Sequence, residues 1–117
     1  ESPKNEINDW LVKEHFKRFN APPDFFTCGG MTAALAVVKA LKTAGTTDTE
    51  ALITTMEGMH FQTPKGEMVF RKEDHQALQD MYAFKITTRE GIAWGIPEVT
   101  RVISYKDMDI PIRNTGN

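Results

Sequence analysis

Apolar and polar positions divide this chain into a helical first half and a β-patterned second half. Ile7, Trp10, Leu11 and Phe19 fall on one side of a helical projection, with Lys13, Glu14, Lys17 and Arg18 elsewhere. That period predicts an amphipathic helix over about 3–19, capped by Ser2, opened by Pro3 and with Trp10 in the core. "NAPPD" (20–24) stops it, because consecutive prolines cannot continue a helix. A second helix is predicted over about 29–44, ended by Gly45 in the left-handed region. Its Ala33, Ala34, Ala36, Val37, Val38, Ala40 and Leu41 are apolar almost all round, so it calls for protein on several sides. Thr47-Asp48-Thr49-Glu50 reads as a capping box for a third helix with the stripe Leu52, Ile53, Met56, ended by Gly58.

After "TPKG" (63–66) the period shortens to two. Met68 and Phe70 alternate with Val69 and Arg71, and Tyr82, Phe84 and Ile86 alternate with Met81, Ala83, Lys85 and Thr87. The polar "RKEDHQAL" (71–78) connects the two segments. "EVTRVISY" (98–105) suits either a strand or a short helix, and the tail after it reads as irregular. The fold class is therefore α+β: three helices, then an antiparallel hairpin or three-stranded sheet, in a single domain over 1–117. Such a sheet is too small to cover the second helix. Either the chain self-associates through the open face of the 29–44 helix, or the helix packs on a sheet from a longer chain.

Composition narrows the function classes. Hydrophobic residues make up 40 % and charged residues 26 %, ordinary for a globular domain. The formal net charge is −2 and no basic cluster stands out, so nucleic acid is not a favoured partner. No apolar run approaches the roughly 18 residues of a membrane span. The polar start "ESPKNEIND" lacks an initiator Met and reads as a processed or excised piece. One cysteine, Cys28, excludes an internal disulfide and fits a cytosolic or a bacterial exported protein equally.

The segment "PPDFFTCGG" (22–30) carries the candidate chemistry. A thiol at a helix start is acidified by the helix dipole, and His15, His60 or His75 could supply a base, but a small inert buried cysteine explains Cys28 as well. Gly29-Gly30 lacks the Lys-Ser/Thr of a phosphate loop. It could receive a carboxylate on free amides, or simply form a tight turn. Glu73-Asp74-His75 suggests a metal, yet Asp74 and His75 are adjacent and would point apart on a strand, so a solvated connection with Asp74 capping a turn is the preferred reading. No metal, cofactor or catalytic constellation is assigned, and the residues favour a binding or structural unit over an enzyme.

Taken in order, "RFNAPPD", "AALAVVKALKTAG", "TDTEALITTMEG", "FQTPKGEMVFR" and "EDHQALQDMY" resemble the C-terminal part of the periplasmic substrate-binding proteins of ABC transporters. The type is the branched-chain amino-acid (Leu/Ile/Val) binding family, the extracellular ligand-binding receptors, and the match spans roughly 10–88. The resemblance implies a type I fold of two α/β lobes joined by crossing strands. A small molecule, an amino acid or related carboxylate, binds between lobes that close on it, and the loaded protein docks on a membrane permease without covalent chemistry. It implies a periplasmic location, or an extracellular membrane-anchored one in a Gram-positive organism. The segment entering the alanine-rich helix then supplies part of the cleft wall, here Phe26, Thr27 and Cys28. Thr27 would hydrogen-bond the ligand and Phe26 would pack on it. The chain would be the C-terminal third of such a protein, its second helix resting on strands encoded upstream. The alternative from a different class is a self-standing α+β interaction or oligomerisation module with no small-molecule site.

Overall fold

The computed structural model describes residues 3–116. Three helices, α1 (Glu6–Phe19), α2 (Phe25–Ala44) and α3 (Thr49–Met56), precede five strands: β1 (His60–Thr63), β2 (Gly66–Phe70), β3 (Ala77–Gln79), β4 (Met81–Thr87) and β5 (Ile96–Ile103). The α+β class and the order of helices before antiparallel strands are as the sequence predicts.

Helix boundaries follow side-chain caps that the periodicity hides. Asn5 caps α1 by accepting the Asn8 N–H at 2.8 Å, so the helix begins three residues later than predicted. Ser2, the predicted cap, lies outside the described residues. Asp24 caps α2 by accepting the Thr27 N–H at 2.8 Å, which starts that helix at Phe25 rather than Gly29. Gly45, with φ 68°, ends it as expected. The predicted Thr47–Glu50 box is not made. Asp48 caps α3 instead, accepting the Ala51 N–H at 3.0 Å, since a carboxylate is the stronger acceptor for a helix-start amide.

The strands form two separate sheets. β1-β2-β3 is an antiparallel meander in which Phe61 pairs with Met68 and Met68 with Gln79. β1 and β3 are absent from the sequence reading. Each is short and sits where polar residues mask the alternation. β4 and β5 make a two-stranded antiparallel ribbon with a bulge, because Ala83 pairs with Arg101 while Phe84 pairs with Val99. "EVTRVISY" is thus mostly strand.

The core lies between α2 and the meander. Ala36 and Ala40, four residues apart on one face, are buried against Met59, Phe61 and Met68. Their small side chains let the helix backbone sit close to the sheet. The opposite face is open, with Val37 and Val38 54% and 46% exposed. α2 is also long and apolar enough, by length and composition alone, to cross a membrane, against the sequence expectation. Its buried ridge against the meander marks it instead as a packing helix. Trp10, expected in the core, is 55% exposed because α1 turns Asn8 and Leu11 inward. The radius of gyration is 16.6 Å, against about 13 Å for a compact domain of this length. The ribbon accounts for the elongation. It is tied to the body by Tyr82, whose hydroxyl donates to the Lys65 carbonyl at 2.7 Å.

Asp74 caps its turn as predicted, by accepting the Gln76 N–H, but it is not solvated: its side chain is 4% exposed and Arg71 is 15% exposed. Arg71 donates to both Asp74 oxygens, at 2.8 and 2.6 Å, and reaches the carbonyls of Ile110 and Pro111. The pair therefore pins the C-terminal segment to the meander. The Arg71 hydrogen bonds hold the Asp74 carboxyl well below the usual carboxylate range, against the opposing pull of burial. A carboxyl whose pKa is depressed on folding stabilises above its unfolded pKa of about 3.9 and loses that contribution as pH falls toward the folded value. Asp74→Asn is therefore expected to destabilise the chain at pH 7 and progressively less below pH ~4. Urea titrations at several pH values check this, and a wild-type-to-variant gap that does not narrow in acid overturns it.

Candidate functional site

A cleft of about 680 Å³ opens between the N-terminal helices and the tip of the ribbon. α1 contributes Asn8, Val12 and Phe16 to its wall. The turn Pro22-Pro23 and the first turn of α2 bring in Cys28. The ribbon tip supplies Arg89, Ile92, Trp94 and Pro97, with the Trp94 ring 5.6 Å from that of Phe16. Amphipathic α1 thus supplies one apolar wall, and the paired prolines hold the chain extended where it bends into α2.

Of the three predicted site residues, only Cys28 lines this cleft. Thr27 is engaged locally: its hydroxyl and its N–H both donate to Asp24 Oδ1, each at 2.8 Å. Phe26 is 81% exposed and meets Phe25 edge-on, while Lys65 Nζ sits 4.8 Å above the Phe25 ring. Burial pushes the Cys28 thiol up, with Lys65 pulling weakly the other way, so the thiol is protonated at neutral pH and a poor nucleophile. The histidines face other partners: His15 the Ala21 carbonyl, His60 Glu67, and His75 Glu57. Gly29 and Gly30 form neither a turn nor an anion cradle. They lie inside α2, and a Cβ on either meets nothing within 4 Å. Among the described residues no group of three or more His, Cys, Asp or Glu is placed to hold a metal ion.

The ribbon-tip residues escaped the sequence reading. A signal was present in "REGIAWGIP", where an arginine, a tryptophan and two glycines crowd one connection between strands. Gly95 is required there, since a Cβ on it would stand 2.7 Å from Ile86 Cγ2. Gly95→Ala is expected to displace the tip or push the Ile86 side chain, which is 65% exposed, aside. A shift in tryptophan emission together with a lower urea midpoint is the expected readout, and an unchanged midpoint rules the contact out as a constraint.

A mostly apolar cleft of this volume, with a few polar groups at its wall, has the dimensions of a small-molecule binding site. The chain belongs to the periplasmic binding protein family, whose model matches residues 1–91. Solved structures agree. An ABC-type branched-chain amino acid transporter from Rhodopseudomonas palustris CGA009 is 62% identical with a TM-score of 0.90, over 96% of this chain and 30% of that one. An ABC transporter from Rhodopseudomonas palustris is 70% identical with a TM-score of 0.66, over 74% of this chain and 26% of that one. A solute binding protein of an ABC transporter from Rhodopseudomonas palustris BisB5, in complex with 3,4-dihydroxybenzoic acid, is 26% identical with a TM-score of 0.74, over 86% and 28%. No curated protein matches the chain. The chain thus spans less than a third of the length of these relatives.

Proposed function

We propose that this chain is a single domain forming part of one lobe of a longer, two-lobed solute-binding protein of an ABC uptake transporter. That protein takes up an amino acid or related small carboxylate between its lobes, performs no catalysis, works in the periplasm and delivers its ligand to a membrane permease. The observation that carries the reading is the conjunction of a 680 Å³ cleft with family membership. Support comes from relatives whose transporter roles are named and which are about three times as long. The exposed Val37 and Val38 face of α2 fits a helix that rests on a sheet supplied elsewhere in the protein. Cys28 lines the cleft, and Thr27 and Phe26 beside it at the start of α2 would meet the ligand or the facing lobe once the lobes close. A self-standing oligomerisation module would explain the exposed face but not the family match.

The test is a thermal-shift screen of the full-length protein against amino acids and small organic acids. A saturating ligand at a hundredfold excess over its Kd adds about 2.7 kcal/mol and raises the melting temperature by several degrees. No shift with any small carboxylate overturns the proposal.

A further inference from the structure

The walls of the cleft are held from outside it. Asn5, Tyr82 and the turn 63–66 between β1 and β2 all stand outside its lining, yet α1, α2 and the ribbon each attach to that turn. Asn5 uses both halves of its amide. Its Oδ1 accepts the N–H of Asn8, a lining residue of α1, and its Nδ2 donates to the Pro64 carbonyl at 3.0 Å. Tyr82 donates from the ribbon to the carbonyl of the next residue, Lys65, at 2.7 Å. Lys65 in turn places its Nζ 4.8 Å from the ring centroid of Phe25, the first residue of α2, in the same helical turn as Cys28. The turn itself is rigid. Thr63 and Pro64 are fully buried, and the Thr63 hydroxyl donates to the Gly66 carbonyl at 2.8 Å while accepting the Lys65 N–H at 3.1 Å. Two adjacent carbonyls on a stiff seat therefore receive the two facing walls. The strand from Tyr82 to Thr87 runs about 17 Å, so a tilt of about 10° at its base moves the ribbon tip by about 3 Å.

We infer that turn 63–66 is the common anchor that sets the width of the cleft, with Tyr82 and Asn5 as its positioning residues. The purpose of that width rests on the solute-binding reading, whereas its geometry does not. Tyr82 fixes the angle at which the ribbon leaves the body, and so where Trp94 meets Phe16. Asn5 fixes the start of α1 against the same seat.

The test reads the cleft without a ligand. Iodoacetamide alkylation of Cys28, which lines it, is followed by peptide mass spectrometry on the full-length protein. Tyr82→Phe keeps the ring and removes only the hydroxyl. It is expected to speed Cys28 alkylation about 3–10-fold, the population change that one lost hydrogen bond allows. Hydrogen exchange of the β4–β5 ladder is expected to stay as slow as in the wild type, because the arm tilts as a whole. Asn5→Ser keeps a good helix cap but loses the reach to Pro64, and is expected to act in the same direction. Thr100→Val removes a hydrogen bond within the ribbon, from the Thr100 hydroxyl to the Ala83 carbonyl, and is expected to leave the rate unchanged. An unchanged rate in either Tyr82→Phe or Asn5→Ser overturns the inference. An equal rise in all three variants, or faster ladder exchange in Tyr82→Phe, also overturns it, since both report general loosening. A ligand screen that fails on its own removes the solute-binding reading and leaves the anchor standing.

Discussion

Phe61→Ala is expected to lower the unfolding free energy of this chain by about 3–5 kcal/mol, the range for emptying an aromatic site in a core. Phe61 is buried, its ring stands 5.4 Å from that of Phe70, and it lies against the Ala36 and Ala40 ridge of α2. The alanines are the reason the effect is large. A wall made of methyl groups on a helix backbone has no long side chain that could swing into the space. Domains of this size have about 5–15 kcal/mol in hand, so the variant should sit close to unfolding at room temperature. Urea denaturation followed by far-UV circular dichroism measures it. A loss below about 1 kcal/mol would mean that α2 collapses onto β1 more readily than the packing implies.

The second large effect has opposite signs in two settings. Val38→Glu combined with Leu41→Lys replaces apolar surface that is exposed in this chain. In the 117-residue chain the double variant is expected to reduce self-association, because it breaks up an unpartnered apolar face. Sedimentation velocity reads the loss of higher species. In the full-length protein the proposed function puts that face against other strands, where each side chain contributes about 1.5–3 kcal/mol by burial. There the same substitutions are expected to be strongly destabilising. If both forms tolerate the change equally, nothing covers α2 and the two-lobed reading loses its structural support.

Much of the architecture was readable from period and punctuation. The α2 interior, Gly45 at its end and the Met81–Thr87 strand needed only apolar spacing and a residue that tolerates positive φ. What failed has local physical causes. Asp24, Asn5 and Asp48 set helix starts through single hydrogen bonds, which leave no periodic trace. β1 escaped because its exposed His60 and Gln62 alternate with only Phe61 and Thr63, too short a run to stand out. Asp74 was placed in solvent because its sequence neighbours are charged, whereas its burial depends on Ile110 and Pro111 folding back over Arg71. The candidate cleft was half legible. Cys28 was singled out from the helix start, but Arg89 and Trp94 join it only through the path of the ribbon, and no sequence spacing records that path.

The β4–β5 ribbon has a bearing on how this polypeptide behaves at high concentration. Two strands with apolar residues such as Met81, Phe84, Ile86 and Val102 exposed, and with no third strand on either flank among the described residues, make a template that stray chains could extend into fibrils. The ribbon carries its own deterrents: Lys85, Glu98 and Arg101 place charge along it, and Pro97 brings no N–H to the ladder. Neutralising those charges while keeping the greasy residues should turn a soluble sample into one that gels, with thioflavin fluorescence as the early sign.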